Sequence, residues 1–295
     1  MNKFCLIITI ALIILLAPIG SFGKDEMKID CQGGAILVEM KTSNVLFEQD
    51  ADKRWSPAST TKIMTAIIAL EQADLSREVE FTENATKVDG SKLKIEKGVK
   101  VPLYPLLEAM LIRSGNDAAV AVAEHISGSQ AEFAKKMNEK AQLLGMTGTH
   151  YKNASGLPDS EQYTTARDLS KLAVYAMGRE EFRQIVAKRE STFINFDGTE
   201  DEIIYTTNRL LGRHPLVNGI KTGFTSSSKY CLAASASFRD YDLIAVVLGA
   251  ESEQVWLESA RLLDYGFAMN DPLYPLYREF KLEIPVDLTK PEEGE

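Results

Sequence analysis

The stretch Thr60–Ala73 does most to limit what this chain can fold into. It carries Ile, Ala, Leu and Met on every side until Glu71, and it contains neither Gly nor Pro. A helix that is apolar all round has no face to offer water, so it must lie inside a core with other elements around it. The flanking sequence supplies those elements. Ala35–Met40 and Val45–Phe47 have the character of strands, joined by the polar turn Lys41–Asn44. Helical segments are predicted at Leu106–Ile112, Asp117–Ile126, Phe133–Leu144 and Ala166–Met177, the second with Asp in its first turn and Gly128 just past its end. Val217–Phe224, Tyr230–Phe238 and Leu243–Ala250 predict a meander, with Arg239-Asp240 near the turn between the last two. Glu253–Ala268 predicts a closing amphipathic helix. The order of strands, helices and strands describes an α+β chain. Its first and last strands complete one antiparallel sheet, sandwiched between helical layers.

A chain of 295 residues can bury a sizeable core without disulfide staples. Its N-terminus has Lys3 as the only charge before a nearly wholly apolar run, Phe4–Ile19, and small residues precede a cut after Gly23. This is the pattern of an export signal. An uncleaved anchor is the alternative, because the run nearly reaches bilayer length; membrane contact is expected only in that case. From about Asp271 the chain turns proline-rich and acidic (Pro272, Pro275, Pro285, Pro291). The expected organisation is a signal at 1–23, a folded catalytic unit at 24–270 and a tail or linker at 271–295. The formal net charge of -9 argues against a nucleic-acid surface and against a polybasic membrane patch. Cys5 falls in the signal, which leaves Cys31 and Cys231, both in apolar segments and expected as buried free thiols. His125, His150 and His214 are scattered without metal-ligand spacing and are expected to be structural. No cofactor or metal is expected.

Three short segments carry chemistry. Ser59-Thr60-Thr61-Lys62 stands where the buried helix starts, so Ser59 and Lys62 share one helix face. A serine hydroxyl is a poor nucleophile until a base takes its proton. A lysine can be that base only when neutral, which burial and a second nearby cation both favour. Bringing a lysine from about 10.4 to near 7 demands roughly 4–5 kcal/mol of differential interaction. Ser114-Gly115-Asn116 lies between two helices, where a tight turn can aim a hydroxyl and an amide at one point. Lys221-Thr222-Gly223 lies in a strand, and a glycine there signals the close approach of another backbone. An extended peptide along the strand edge fits that role, with Lys221 and Thr222 suited to a carboxylate. Singly, each segment also fits a bland role as helix cap, inter-helix turn or strand end. Together, in this order and in these settings, they match the motif set of penicillin-binding proteins and class A β-lactamases.

Longer strings sharpen the match. Pro57-Ala58-Ser59-Thr60-Thr61-Lys62-Ile63-Met64-Thr65-Ala66, Ser114-Gly115-Asn116-Asp117-Ala118, Asn153-Ala154-Ser155-Gly156-Leu157, Tyr163–Leu169, Gly219-Ile220-Lys221-Thr222-Gly223-Phe224-Thr225 and Leu263–Phe267 resemble the low-molecular-mass penicillin-binding proteins that are D-alanyl-D-alanine carboxypeptidases. The resemblance covers about Ala35–Phe267. It implies the β-lactamase/transpeptidase-like fold, with peptidoglycan stem peptides as substrates and β-lactams as covalent inhibitors. It implies that Ser59 forms an acyl-enzyme, that Lys62 is the base, and that Ser114 passes the proton to the leaving amine. It further implies that Asn116 holds the substrate amide, that Lys221, Thr222 and Gly223 meet the substrate at the strand, and that the N–H groups of Ser59 and Phe224 form the oxyanion hole. With the N-terminal signal, it implies an exported, extracytoplasmic site of action, at the cell wall or the outer face of the cytoplasmic membrane.

Two features depart from the family pattern. An Ala-Gly pair usually precedes the aromatic of the next strand, whereas here Ser228-Lys229 precede Tyr230, which adds bulk and charge near the sheet edge. Many relatives also carry a further β-rich domain and a C-terminal amphipathic helix. Neither is recognisable before Glu295, so the chain is read as a single-domain member or as one that has lost the rest. The rival readings are a β-lactamase, for which Glu161 is the nearest candidate glutamate, a D-Ala endopeptidase on the same fold, and a non-catalytic peptidoglycan-binding protein. The last has no need of a nucleophile.

Overall fold

The computed structural model describes residues 27–193 and 201–281. The expected signal at 1–23 and the end of the tail lie outside the described residues. In chain order, β1 (Gly34–Glu39) and β2 (Val45–Gln49) form the opening hairpin, and a 3₁₀ turn at Ala58–Thr61 leads into α1 (Lys62–Gln72). A small hairpin of β3 (Glu78–Glu80) and β4 (Lys100–Pro102) encloses α2 (Glu83–Lys87). The helical middle comprises α3 (Leu103–Ile112), α4 (Asn116–Ser127), α5 (Gln130–Leu143), α6 (Ala166–Met177) and α7 (Glu180–Val186). A second hairpin, β5 (Glu190–Phe193) and β6 (Glu202–Tyr205), precedes β7 (Val217–Thr225), β8 (Lys229–Phe238) and β9 (Tyr241–Ala250). Helices α8 (Ser252–Asn270) and α9 (Tyr274–Lys281) close the chain.

The main sheet is antiparallel, in the order β2-β1-β9-β8-β7. The first hairpin therefore joins the last meander through the β1–β9 pair, Gly34 opposite Leu248 and Glu39 opposite Leu243. Both sheet faces are apolar, since helices cover both. Ile36, Val38, Ile244, Val246 and Leu248 face the core shared with α1, α3, α4 and α6. Their neighbours Ala35, Leu37, Leu243, Ala245 and Val247 face the core shared with α8. This is the two-residue alternation of a strand, with each face given to a separate core.

Helix α1 is buried from Lys62 to Ala69, as an all-apolar helix must be. Truncating one of its large side chains, Ile67 for instance, is worth about 2–5 kcal/mol. Helix α6 has the expected bounds, with Thr165 Oγ1 capping Asp168 N at 3.0 Å. Asp168 in turn accepts from Gly148 N and Thr149 Oγ1, which pins the preceding loop.

Three expectations change. Ser59 sits in a 3₁₀ turn, and the α-helix begins only at Lys62. Ordered packing continues past 270: Tyr274 is 2% exposed and its ring lies 5.2 Å from those of Phe238 and Phe267. Tyr274 also donates to Asp264, which meets His214 Nε2 at 3.1 Å. The proline-based boundary at 271 overlooked this, because Pro275 occupies the first turn of α9, where its missing N–H costs nothing. Cys31 is only half-buried, while Cys231 is buried, and both are free thiols.

Candidate active site

Four segments meet at one cleft: the 3₁₀ turn, the start of α4, the loop 153–157, and the outer strand β7. Ser59 and Lys62 come from the first. Ala58 and Ser114 both adopt left-handed backbone, at φ 47° and 67°. Such strain costs about 1–3 kcal/mol each and persists only where the surroundings over-determine it. The surroundings are close here. A Cβ on Gly156, itself at φ +90°, would lie 1.8 Å from Ala58 O, and one on Gly223 would lie 2.9 Å from Ser59 N. The expected close approach at Gly223 is therefore to the nucleophile's own turn.

Lys62 has no solvent exposure. Its Nζ lies 2.9 Å from Ser59 Oγ, 2.7 Å from Asn116 Oδ1 and 2.7 Å from Ser155 O. Asn116 is oriented by donating from Nδ2 to Asp89 O at 2.7 Å, so its Oδ1 faces Lys62. Oδ1 and the Ser155 carbonyl can only accept, whereas the Ser59 hydroxyl can also donate. An ammonium could donate to all three; the neutral amine that burial favours would donate to Asn116 and Ser155 and leave its lone pair for the Ser59 hydroxyl. Burial, and then the nearby Lys221, hold Lys62 well below the ordinary lysine range, with Asp117 opposing them.

Lys221 is 1% exposed and burial pulls it down to about 7. It donates to Ser114 Oγ at 3.0 Å and to Thr222 O at 3.2 Å. A cavity of about 1270 Å³ opens in front of these groups. Ser59, Ser114, Asn116, Thr222, Gly223 and Phe224 line it, but neither lysine does. The structure thus brings all eight expected residues together, with Lys221 standing behind Ser114 and Thr222, so that of the Lys221-Thr222 pair it is Thr222 that lines the cavity. Thr222 Oγ1 is 2.5 Å from Thr207 Oγ1.

Several contributors escaped the sequence reading. The Ser155 carbonyl is a backbone group and leaves no residue signature. Thr65, a polar residue inside an apolar helix, was the available signal, since its Oγ1 donates to Ala154 O at 2.6 Å and fixes that loop. The cavity wall at 205–213 comes from a region where no element had been expected. Lys229, read as bulk near the sheet edge, has left-handed backbone (φ 55°) and turns its ammonium to Glu251 at 3.5 Å, away from the cavity. Glu161 is exposed and paired with Lys152 at 2.8 Å. The three histidines lie outside the cavity lining. Among the described residues no group of three metal-ligating side chains converges, and no helix is long and apolar enough to cross a membrane.

A half-buried serine facing a cavity, backed by a buried lysine amine, is the arrangement of an acyl-transfer serine hydrolase. Residues 23–252 match the family described as D-alanyl-D-alanine carboxypeptidase, and the chain belongs to that family. It is 33% identical to D-alanyl-D-alanine carboxypeptidase DacF of Bacillus subtilis, over 98% of this chain and 77% of that protein. It is 34% identical to DacC of Escherichia coli, over 82% of this chain but only 62% of that longer protein. The crystal structure of DacD from Francisella tularensis superposes with a TM-score of 0.76 at 29% identity, covering 82% of this chain and 71% of that one. A mutant of the Streptomyces K15 DD-transpeptidase superposes with a TM-score of 0.78 at 30% identity, covering 82% and 100%. These neighbours carry the transpeptidase-like fold.

Proposed function

We propose that this chain removes the terminal D-alanine from peptidoglycan stem pentapeptides outside the cytoplasm, through an acyl-enzyme on Ser59. The observation that carries this reading is the buried Lys62 Nζ, 2.9 Å from Ser59 Oγ and held there by Asn116 Oδ1 and the Ser155 carbonyl. The family match and the apolar segment at the N-terminus support the substrate class and the compartment.

The peptide lies along the β7 edge with its terminal carboxylate at Thr222. Lys62 takes the Ser59 proton as Oγ attacks the penultimate D-Ala carbonyl. The oxyanion meets the N–H groups of Ser59 and Phe224. As the C–N bond breaks, Ser114 hands a proton to the departing D-alanine amine and regains one from the lysine pair. Water then attacks the ester carbonyl as Lys62 accepts its proton, the Ser59 Oγ–acyl bond breaks with Lys62 returning that proton to Oγ, and the tetrapeptide leaves as the acid. A β-lactam offers a strained amide and a carboxylate in about the same geometry, so it acylates Ser59 too. Its leaving group stays tethered in the path of water, and Glu161, exposed and paired with Lys152, is not among the residues that line the cavity.

Product analysis of a purified pentapeptide precursor tests the reading. Free D-alanine and tetrapeptide, absent with Ser59→Ala, are expected. Cleavage of cross-links alone, or no release, would overturn it.

A further inference from the structure

Asp117, next to Asn116 in the first turn of α4, is 1% exposed and touches none of the reacting groups. Its carboxylate is nonetheless fully engaged. Oδ1 accepts from Leu93 N at 3.0 Å and from Ala118 N at 2.9 Å, and Oδ2 accepts from Lys94 N at 2.9 Å. Leu93 and Lys94 end a loop whose beginning is tied to Asn116. Asn116 N donates to Ser91 O at 2.7 Å, and Asn116 Nδ2 donates to Asp89 O at 2.7 Å. The loop 89–94 is therefore gripped at one end by Asp117 and grips Asn116 at the other. Lys94 has left-handed backbone (φ 63°), which needs such a grip to persist.

We propose that Asp117 is a positioning residue for acylation: its buried carboxylate fixes the loop 89–94, and that loop turns the Asn116 amide so that Oδ1 holds the Lys62 amine on Ser59. Nothing but a carboxylate serves here. The three donors converge on two oxygens, and an amide would set its own NH₂ against one of them. The role has an electrical side as well. Lys62 is faced by Ser59 from the 3₁₀ turn, Lys221 from β7, Ser155 from its loop, and Asn116 with Asp117 from α4. Asp117 is the one anion of that set, and it favours the ammonium form of Lys62 against burial and Lys221. Burial opposes the charge of Asp117 itself, and the three N–H groups support it.

The inference rests on the roles given above to Lys62 and Asn116. It is tested by the rate of Ser59 acylation by a fluorescent penicillin, measured for the whole chain across the acid-to-neutral range. Asp117→Asn should fold and should acylate about ten- to a hundredfold more slowly at its plateau, the loss of one charge-assisted contact. Its acid limb should move to lower pH, because Lys62 then loses its proton more readily. A residue that only held the fold would scale the rate equally at every pH. A folded Asp117→Asn with the wild-type rate, or with a slower rate and an unmoved acid limb, would overturn the proposal. If Asp117→Asn does not fold, Gly90→Ala decides, since it leaves Asp117 intact. A Cβ at residue 90 would lie 2.7 Å from Asn116 Nδ2, so acylation should fall by a similar factor, and an unchanged rate would overturn the coupling. Failure of the wild-type chain to acylate at Ser59 would instead sink the functional reading itself.

Discussion

The site has a helical half and a strand half, and each is built around one buried lysine. In the helical half, Lys62 is walled in by Ser59, Asn116 and Ser155, with its Nζ within 2.9 Å of an oxygen from each. In the strand half, Lys221 meets one hydroxyl, Ser114, and its own strand's Thr222 carbonyl. The helix can bury its lysine completely because α1 is enclosed on all sides. The strand is the outer member of the sheet, so one side stays open for Thr222, Gly223 and Phe224 to line the cavity. On the proposed reading, proton abstraction falls to the enclosed half and substrate alignment to the open one, with Ser114 spanning the two.

Removing Lys62 should break the comparison most completely. Lys62→Ala deletes the one amine that contacts Ser59 among the described residues, and loss of a general base costs about 10²–10⁴-fold. Stopped-flow acylation of the folded variant near neutral pH checks this, and a near-wild-type rate would dismiss Lys62 as the base.

Removing Lys221 should cost less. Lys221→Met takes away the donor to Ser114, worth about ten- to a hundredfold by the strength of one charge-assisted bond. Because Lys221 does not line the cavity, substrates with a free terminal carboxylate and amide-capped analogues should lose activity by similar factors. A loss confined to the carboxylate substrate would show that Lys221 reaches the ligand directly.

The same variant gives the smallest effect, on stability. Burial holds Lys221 at about 7 in the fold, against an ordinary value of about 10.4 in the unfolded chain. Between those values the unfolded chain binds the extra proton, so the penalty of burying this amine is fully present below about 7 and fades as pH rises. Lys221→Met should therefore raise Tm at neutral pH, by about 2–4 °C per kcal/mol recovered. The gain should shrink toward alkaline pH. A gain that grows with pH would contradict the depressed titration of Lys221.

These two halves were not equally visible in the sequence. Ser59, Lys62, Ser114, Asn116 and the Lys221–Gly223 strand stood out because each chemistry needs a side-chain type at a fixed spacing. The central helix, the β1–β2 hairpin and the closing meander stood out because their apolar periods are long and uninterrupted. The hairpin β5–β6 and the wall at 205–213 did not, since Glu190–Phe193 is short and mostly accessible and carries little apolar pattern. The Ser155 carbonyl and the loop 89–94 were invisible for a different reason. They act through backbone groups, which any residue could supply, and only the assembled fold shows where those groups point. The depth of Lys221 was also hidden, because burial on an outer strand cannot be judged from its composition.

That outer strand carries a cost beyond chemistry. Sheets that leave a border strand unpaired invite a second chain to add itself there, and many proteins blunt the border with charge, proline or a cover. This molecule cannot blunt β7 without closing its own cleft. It recesses the border instead, with the 3₁₀ turn packed against Gly223 on one side and the 205–213 wall on the other. A slender peptide can slip into that slot, whereas the rim of another folded sheet cannot. Walls of this kind would be expected to keep the rim of another sheet off β7, and shortening them would be expected to favour aggregation.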